Sequence, residues 1–483
     1  MKAGLFTSIP TGLLLAATAA QAQPADHAEL LGAVDARAPQ ITKVSRAIWD
    51  YAEQGYQETR SSALLQQELR KAGFTIQAGV AGMPTAFVAS YRSGSGPVIG
   101  ILAEFDALPG LAQAATPERS PIAGKAAGHG CGHNLFGAAS TGAAMAIKAW
   151  MEANRVQGEI RLYGTPAEEG GGAKVYMAKA GLFDGVDAVL HWHAADANSA
   201  AQDLAMANIS GKFRFHGVSA HAASNPHFGR SALDGIEVMD VAVNAMREHV
   251  PETVRIHNII TSGGSAPNVV PDFAETYYYV RDWDPAIVRQ VLARVRKAAE
   301  GAAMATETRV EFELVNGVYG LLPNDTLGRL MDDNLREAGP PRWDAADRAF
   351  AEKLSAQLPK PRPVEEGQGF RPYSTGERGA GSTDVGDVSW VVPTVGLRVA
   401  TYPAGTPAHS WQAVASAGSP LGEKGAVVAA KTLALTASDL FRRPELLKQA
   451  RVEFDRRRGA GFTYQSLAGD RAPPLDYRRK SGE

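Results

Sequence analysis

The sequence predicts an α/β protein built on an open sheet, with a separate α+β module inserted into it. Three observations lead there. Over roughly the first 200 residues, apolar runs of strand character alternate with helical periodicity. Histidines, glutamates and a lone cysteine cluster directly after those strands or before helices, where open α/β sheets place their sites. From Asn208 the texture changes to alternating strands around two helices, and helix- and strand-like material resumes further on.

Residues 41–73 read as helical, with Ile48, Tyr51, Ala52, Leu64, Leu65 and Leu69 at three- and four-residue spacings. Residues 87–89 and 98–103 read as strands, the second with few polar positions, as a strand covered on both faces requires. Residues 134–151 are alanine-rich without proline and predict a helix that packs through small side chains. Further strands follow at 160–164 and 186–190. Residues 211–217 alternate like a half-buried strand. Residues 230–249 place Ala232, Ile236, Met239, Val243 and Met246 on one helical face. Strands at 255–260, 274–280 and 310–314, with a helix over 285–305, complete the module. Residues 339–381, rich in proline, glycine and charge, read as a long surface excursion. A strand at 391–399 and a helix at 425–440 close the first unit. The arginine-rich tail from Arg442 carries no pattern beyond a short helix, and no function is assigned to it. The predicted division is a leader at 1–22, a first part of the main domain at 23–208, the inserted module at 209–322, the second part at 323–440 and the tail at 441–483.

The chain has 483 residues, enough for two or three domains, and a formal net charge of −2. Nothing in that balance suggests a nucleic-acid surface. Lys2, the apolar stretch from Leu13 to Ala17 and the small-x-small pattern Ala20-Gln21-Ala22 predict an export signal, hence a periplasmic or secreted protein. A cytoplasmic location follows if that segment is not a signal. No later stretch is apolar enough to span a membrane. Cys131 is the only cysteine and cannot form an intramolecular disulfide. In an oxidising compartment a lone thiol needs a reason to survive, and metal ligation supplies one.

The chemistry concentrates in four places. Cys131 sits in Gly-His-Gly-Cys-Gly-His-Asn at 128–134, Glu168 and Glu169 in Pro-Ala-Glu-Glu-Gly-Gly-Gly at 166–172, and His191 and His193 flank Trp192; His409 follows far downstream. Thiolate, imidazole and carboxylate are the donor set of a catalytic transition-metal site. Hydrolysis at such a site needs ligands, a place for water and a base. Adjacent side chains of an extended segment point opposite ways, so Glu168 and Glu169 can divide the work between metal and substrate. On residue type alone, His129 competes with His133 and His191 with His193, and His409 carries little weight.

The motifs have an order as well as a chemistry. Ala-Glu-Phe-Asp-Ala-Leu-Pro-Gly at 103–110, the His-Gly-Cys-Gly-His-Asn segment, the double-glutamate turn, Gly-Val-Ser-Ala-His-Ala at 217–222, Ala-Pro-Asn-Val-Val at 266–270 and Gly-Ser-Thr-Asp at 381–384 occur in succession. Together they resemble the metal-dependent aminoacylase/carboxypeptidase family. The likeness is strongest to its amidohydrolase branch, which includes hydrolases of auxin conjugates and of p-aminobenzoyl-glutamate. The stretches 382–390 and 409–412 favour the latter.

The resemblance implies a mixed-sheet, dinuclear-metal exopeptidase-like catalytic domain with an inserted α+β lid and dimerisation domain. It implies two divalent ions, zinc or manganese, held by Cys131 as a bridging ligand with His133, Glu169, His193 and His409. Glu168 would be the general base and Asp106 a supporting residue. His221 would stabilise the oxyanion, commonly in a partner subunit's site, with His216 and His227, close in sequence, as the alternatives for that role. Asn268 and Arg281 would face the substrate; a guanidinium suits the free carboxylate of an N-acyl amino acid, unless it pairs with Asp282 or Asp284. The expected activity is amide hydrolysis of N-acyl or N-aroyl amino acids by a homodimer. The rivals are a dipeptidase or carboxypeptidase using the same site, and a non-catalytic metal-dependent binding protein, which would have no use for a general base.

Overall fold

The computed structural model describes residues 24–379 and 381–478; the leader expected at 1–22 lies outside them. The main sheet has six strands in the order Thr75–Ala78, Phe87–Ser93, Gly158–Gly164, Val98–Ala103, Ala188–Ala195, Thr394–Ala400. The first two pairings are antiparallel and the remaining three parallel, so the sheet is mixed. Every residue of Val98–Ala103 is buried, as its apolar run requires. The helix His133–Ala153 lies against the sheet and against the helices Pro24–Tyr51 and Pro420–Arg442. Its alanines at 138, 139, 143, 144 and 146 are buried, so small side chains let the helices approach closely. Larger residues such as Leu135, Ile147 and Trp150 fill the remaining space, each contributing about 1.5–3 kcal/mol by burial.

The second sheet is wholly antiparallel, in the order Arg255–Ser262, Phe273–Asp282, Ala207–His216, Arg309–Val318. The helices Ala232–Met246 and Pro285–Ala305 cover one face, and Phe213, Phe215, Ile236, Met239, Tyr278, Val288 and Val295 form a separate core there. Both helices start where capping chemistry dictates. Ser231 accepts from the Asp234 amide, and Asp284 accepts from the Ala286 amide ahead of Pro285. The edge strand Arg255–Ser262 leaves Ile259 and Ile260 exposed.

Four expectations change. The helical stretch at 41–73 is two helices, Pro24–Tyr51 and Thr59–Lys71, because the chain turns sharply between them with Ala52 and Tyr56 at positive φ. The strand expected at 186–190 runs instead over Ala188–Ala195 and contains both His191 and His193. The excursion at 339–381 is largely folded: Asp344 and Asp347 form a capping box for the helix Ala345–Ser355, and Trp343, Ala351 and Val364 pack with Ala400 and Leu421. The tail forms the helix Pro444–Arg458 and then runs back across both sheets. No helix among the described residues is long and apolar enough to cross a membrane.

Candidate active site

The four parallel strands of the main sheet end on the same side, and each delivers residues there. Beyond Ala103 come Glu104 and Asp106; beyond Gly164 come Glu168 and Glu169; His193 lies near the end of its strand; His409 follows the strand Thr394–Ala400. Cys131 and His133 arrive on the turn that starts the helix His133–Ala153. That turn needs Gly132: its φ is +70°, and a Cβ there would lie 2.6 Å from the Ala194 side chain.

The donors overlap in three groups, within each of which the ligand atoms lie within 4.8 Å of one another. Cys131 joins His133 and His193 in one and Glu169 and His409 in another, while His133, Glu168 and Glu169 form the third. All six residues singled out in the sequence as ligands or base are therefore brought together. His133 Nδ1 hydrogen-bonds Asp106 Oδ1 at 2.9 Å, which turns Nε2 toward the cluster. Asp106 also accepts the Glu169 amide through Oδ2 at 2.9 Å, so one buried carboxylate orients two candidate ligands. His193 Nδ1 is fixed by the Ala194 carbonyl at 2.7 Å.

The ambiguous histidines separate by their partners. His129 Nε2 donates to the Ile48 carbonyl at 3.0 Å, tying the ligand turn to the first helix. Burial, with the charge of His133, pulls its pKa down to about 4. His191 is packed against Gly396, where any Cβ would meet the ring at 2.2 Å. Burial pulls its pKa to about 3, and Lys174 adds to the effect.

The double-glutamate turn is strained and fully held. Ala167 has φ +54°, and its amide donates to Glu58 Oε1 at 2.8 Å; the Tyr56 hydroxyl donates to the Gly171 carbonyl at 2.8 Å. His409 also has positive φ, +58°, with its amide on the Gly130 carbonyl. Such conformations cost about 1–3 kcal/mol each and persist where surroundings over-determine them.

Sequence reasoning missed a buried triad. Lys174 Nζ is fully enclosed, 2.8 Å from Glu104 and 2.7 Å from Asp384. Asp384 accepts the Lys174 amide as well. Glu104 reaches toward His133 Nε2 at 3.1 Å, yet neither Glu104 Oε2 nor that nitrogen has a hydrogen-bond partner. Glu104 and Asp384 lie in motifs noted above, but nothing in the sequence marks Lys174 as buried.

The electrostatics are those of a cation site. Lys174 sits between Glu104 and Asp384 and feels Asp106 and Glu168, while Glu58 lies by Asp106, and Glu169 by His133 and His409. Burial pushes the Glu168 carboxyl well above the usual carboxylate range, and Glu104 and Glu169 add to it. Burial likewise pushes the Cys131 thiol up, reinforced by Glu169. Burial works against charge on His133, but Glu104 and Asp106 outweigh it and raise its pKa. Among the described residues, buried Glu104 Oε2, His133 Nε2 and Glu169 Oε1 make no hydrogen bond, although His133 Nε2 faces Glu104 at 3.1 Å and His409 Nε2 faces Glu169 at 3.4 Å. Soft and hard donors with excess negative charge fit divalent metal ions, which offset that charge and favour the thiolate.

The remaining expected residues lie on the second sheet. His221 Nδ1 accepts from the Ala223 and Ser224 amides, at 3.2 and 3.1 Å, so the ring proton sits on Nε2. The Asn268 carbonyl accepts from the Ala222 amide, and His221 bridges Val269, so His221 and Asn268 occupy adjoining loops. Both are exposed, and no hydrogen bond or ion pair among the described residues joins them to the cluster. Arg281 stacks over Tyr279 at 5.3 Å and makes no ion pair with Asp282 or Asp284 among those residues. Asp282 instead accepts the Asp284 amide, and Asp284 caps the following helix. His216 faces Glu311 from the sheet at 3.6 Å, and His227 rests against Phe228.

Comparison with known proteins agrees with this geometry. The model of peptidase family M20/M25/M40 matches residues 100–443. The chain is 39% identical over 448 residues to one of the subunits of the p-aminobenzoyl-glutamate hydrolase of Escherichia coli (strain K12), covering 87% of this chain and 93% of that protein. It is 31% identical over 437 residues to the Xaa-Arg dipeptidase of Mus musculus, covering 87% and 90%. The crystal structure of an aminobenzoyl-glutamate utilization protein from Klebsiella pneumoniae superposes with a TM-score of 0.55 at 20% identity, covering 83% of this chain and 98% of that one.

Proposed function

The chain belongs to peptidase family M20/M25/M40 and is a hydrolase of amide bonds that uses divalent metal ions; from that premise we propose that it cleaves N-acyl or N-aroyl amino acids, including p-aminobenzoyl-glutamate-like compounds. The observation that carries the reading is the overlap of donors around Cys131, beside Glu168. Cys131, like His133 and Glu169, belongs to two donor groups at once, and as the one thiolate among them it would be the ligand shared by two ions. His133, His193, Glu169 and His409 complete the set. Thiolate and imidazole favour zinc, while the carboxylates suit manganese also.

When bound, the ions would lower the pKa of the attacking water and polarise the scissile carbonyl. Glu168, beside the donor residues, would take a proton from that water and return it to the leaving amine. Asp106 holds His133 and the Glu169 peptide in register. Arg281 clamps the substrate carboxylate by a bidentate pair.

His221 and Asn268 serve another subunit's site. Along the strand Phe273–Asp282, Arg281 lies eight residues from Phe273, a span of about 27 Å, and His221 and Asn268 lie in the loops beyond that far end. One small substrate cannot touch both ends. A homodimer through the second sheet, with its exposed edge strand, supplies His221 Nε2–H to the partner's oxyanion. The E. coli relative is one subunit of its enzyme, so a heteromer is the competing assembly. An export signal at 1–22 would place the enzyme in the periplasm or outside the cell. The dipeptidase reading is favoured by the mouse relative.

A hydrolysis panel on purified, metal-loaded protein tests this. Acyl and aroyl amino acids lacking a free α-amine should be cleaved faster than dipeptides; the reverse order assigns a dipeptidase.

A further inference from the structure

Beyond residue 443, where the family match ends, the chain does not leave the molecule. After the helix Pro444–Arg458 it runs back over the second sheet. The Tyr464 hydroxyl donates to buried Asp387 at 2.6 Å, and the Gln465 carbonyl accepts from Tyr319 at 2.9 Å and from Arg289 at 2.6 Å. Leu467 is buried in the core of the second sheet and Ala468 packs with Val175 and Val318. Arg471 donates to the carbonyls of Leu314 and Val315. The chain then crosses to the main sheet, where Gln57 donates to the Leu475 carbonyl at 2.8 Å and Tyr477 packs edge-on against Tyr56.

Its last described residues reach the candidate site. The Tyr477 hydroxyl and the Arg478 guanidinium both donate to the Glu169 carbonyl, at 2.9 and 2.6 Å. A carbonyl has two lone pairs, so the tail takes up the whole acceptor capacity of that peptide. The Glu169 amide is held by Asp106 from the opposite side. Next along the turn, Asn316 of the second sheet donates to the Gly170 carbonyl at 3.3 Å. The turn closes on itself through the Gly170 amide on the Glu168 carbonyl and the Gly171 and Gly172 amides on the Ala167 carbonyl, with Ala167 strained at positive φ. The carbonyls of Glu169 and Gly170 point outward from it, and these external bonds hold them.

We propose that the segment 459–478 is part of the active site, with Tyr477 and Arg478 as positioning residues that fix the Glu169 peptide and so aim its carboxylate at a metal ion. This rests on the metal-hydrolase reading of the cluster. Outer partners that orient a ligand typically matter by about ten- to a hundredfold in metal affinity.

The test uses full-length protein carrying Tyr477→Phe, Arg478→Ala, both together, or Arg478→Lys. Each is stripped with a chelator and compared with wild type by melting temperature, hydrogen exchange over 164–173 and zinc affinity from chelator competition. The double variant should exchange faster over 164–173 but not over 98–103, and bind one zinc about tenfold more weakly or worse. Arg478→Lys, which keeps a donor, should recover most of that loss. Should the double variant fail to fold, Tyr477→Phe decides, since it keeps the ring on Tyr56 and removes one hydroxyl; a severalfold loss of zinc affinity supports the role. Unchanged exchange over 164–173, with zinc affinity within twofold of wild type, would overturn it. Wild type that binds no zinc or manganese would sink the metal reading itself, whereas equal binding by wild type and variants sinks this proposal alone.

Discussion

Glu168 and Glu169 are adjacent and share a donor group with His133, and the proposed reaction gives them different tasks, base and ligand. Glu169 lies 3.4 Å from His409 and its amide is tied to Asp106, whereas the Glu168 carboxyl is raised by burial. Glu168→Ala should keep its metal, by elemental analysis, and lose about 10²-fold or more in turnover. Glu169→Ala should lose metal instead, and Cys131→Ser should hold it more weakly because a hydroxyl is a much poorer ligand than a thiolate. Two variants that retain both metal and activity would reduce the acidic turn to a surface feature. These residues were legible in the sequence because metal ligation admits few side-chain types and because glycine-rich turns surround them. Lys174 was not legible. Its burial depends on Glu104 and Asp384, remote in sequence, and only the fold brings them together. Lys174→Met should destabilise the protein by about 3–5 kcal/mol in urea denaturation, since it strands two buried carboxylates.

At the scale of elements, periodicity located most helices and strands of both sheets but could not see turns that depend on tertiary contact. The break between the first two helices sits at residues whose positive φ no spacing rule reveals. The segment after Gly339 looked like loop because its small core draws on Ala400 and Leu421 from elsewhere. The tail was unreadable for the same reason, since its apolar residues are few and each docks on a different partner. The first helix is also fastened by an ion pair that depends on pH. His27 Nε2 lies 3.4 Å from Asp439 and Nδ1 2.9 Å from Glu337. The Asp439 contact chiefly raises its pKa from 6.5 to about 9, burial opposing. The folded value exceeds the unfolded one, so the stabilisation is complete below pH 6.5 and fades as pH rises through about 9. With a partly exposed Glu337 it amounts to about 1 kcal/mol. His27→Gln should melt lower than wild type at pH 6 and with it at pH 10; an equal deficit at both values would show that packing, not charge, is lost.

For the whole molecule, the proposed homodimer would complete each site with the partner's His221. Inactive His221→Ala and Glu168→Ala proteins should regain activity on mixing, because a mixed dimer contains one intact set. No recovery, with subunit exchange shown independently, would confine His221 to its own chain or remove it from the reaction. In the proposed reaction two divalent ions, with Cys131 between them, would drive amide hydrolysis. The most direct measurement is a calorimetric titration of metal-free protein with zinc or manganese, with hydrolysis of p-aminobenzoyl-glutamate followed at each step. The account predicts two equivalents bound per chain and activity that rises with their occupancy. One equivalent, or two with folded protein inactive on every acyl and aroyl amino acid, would contradict it.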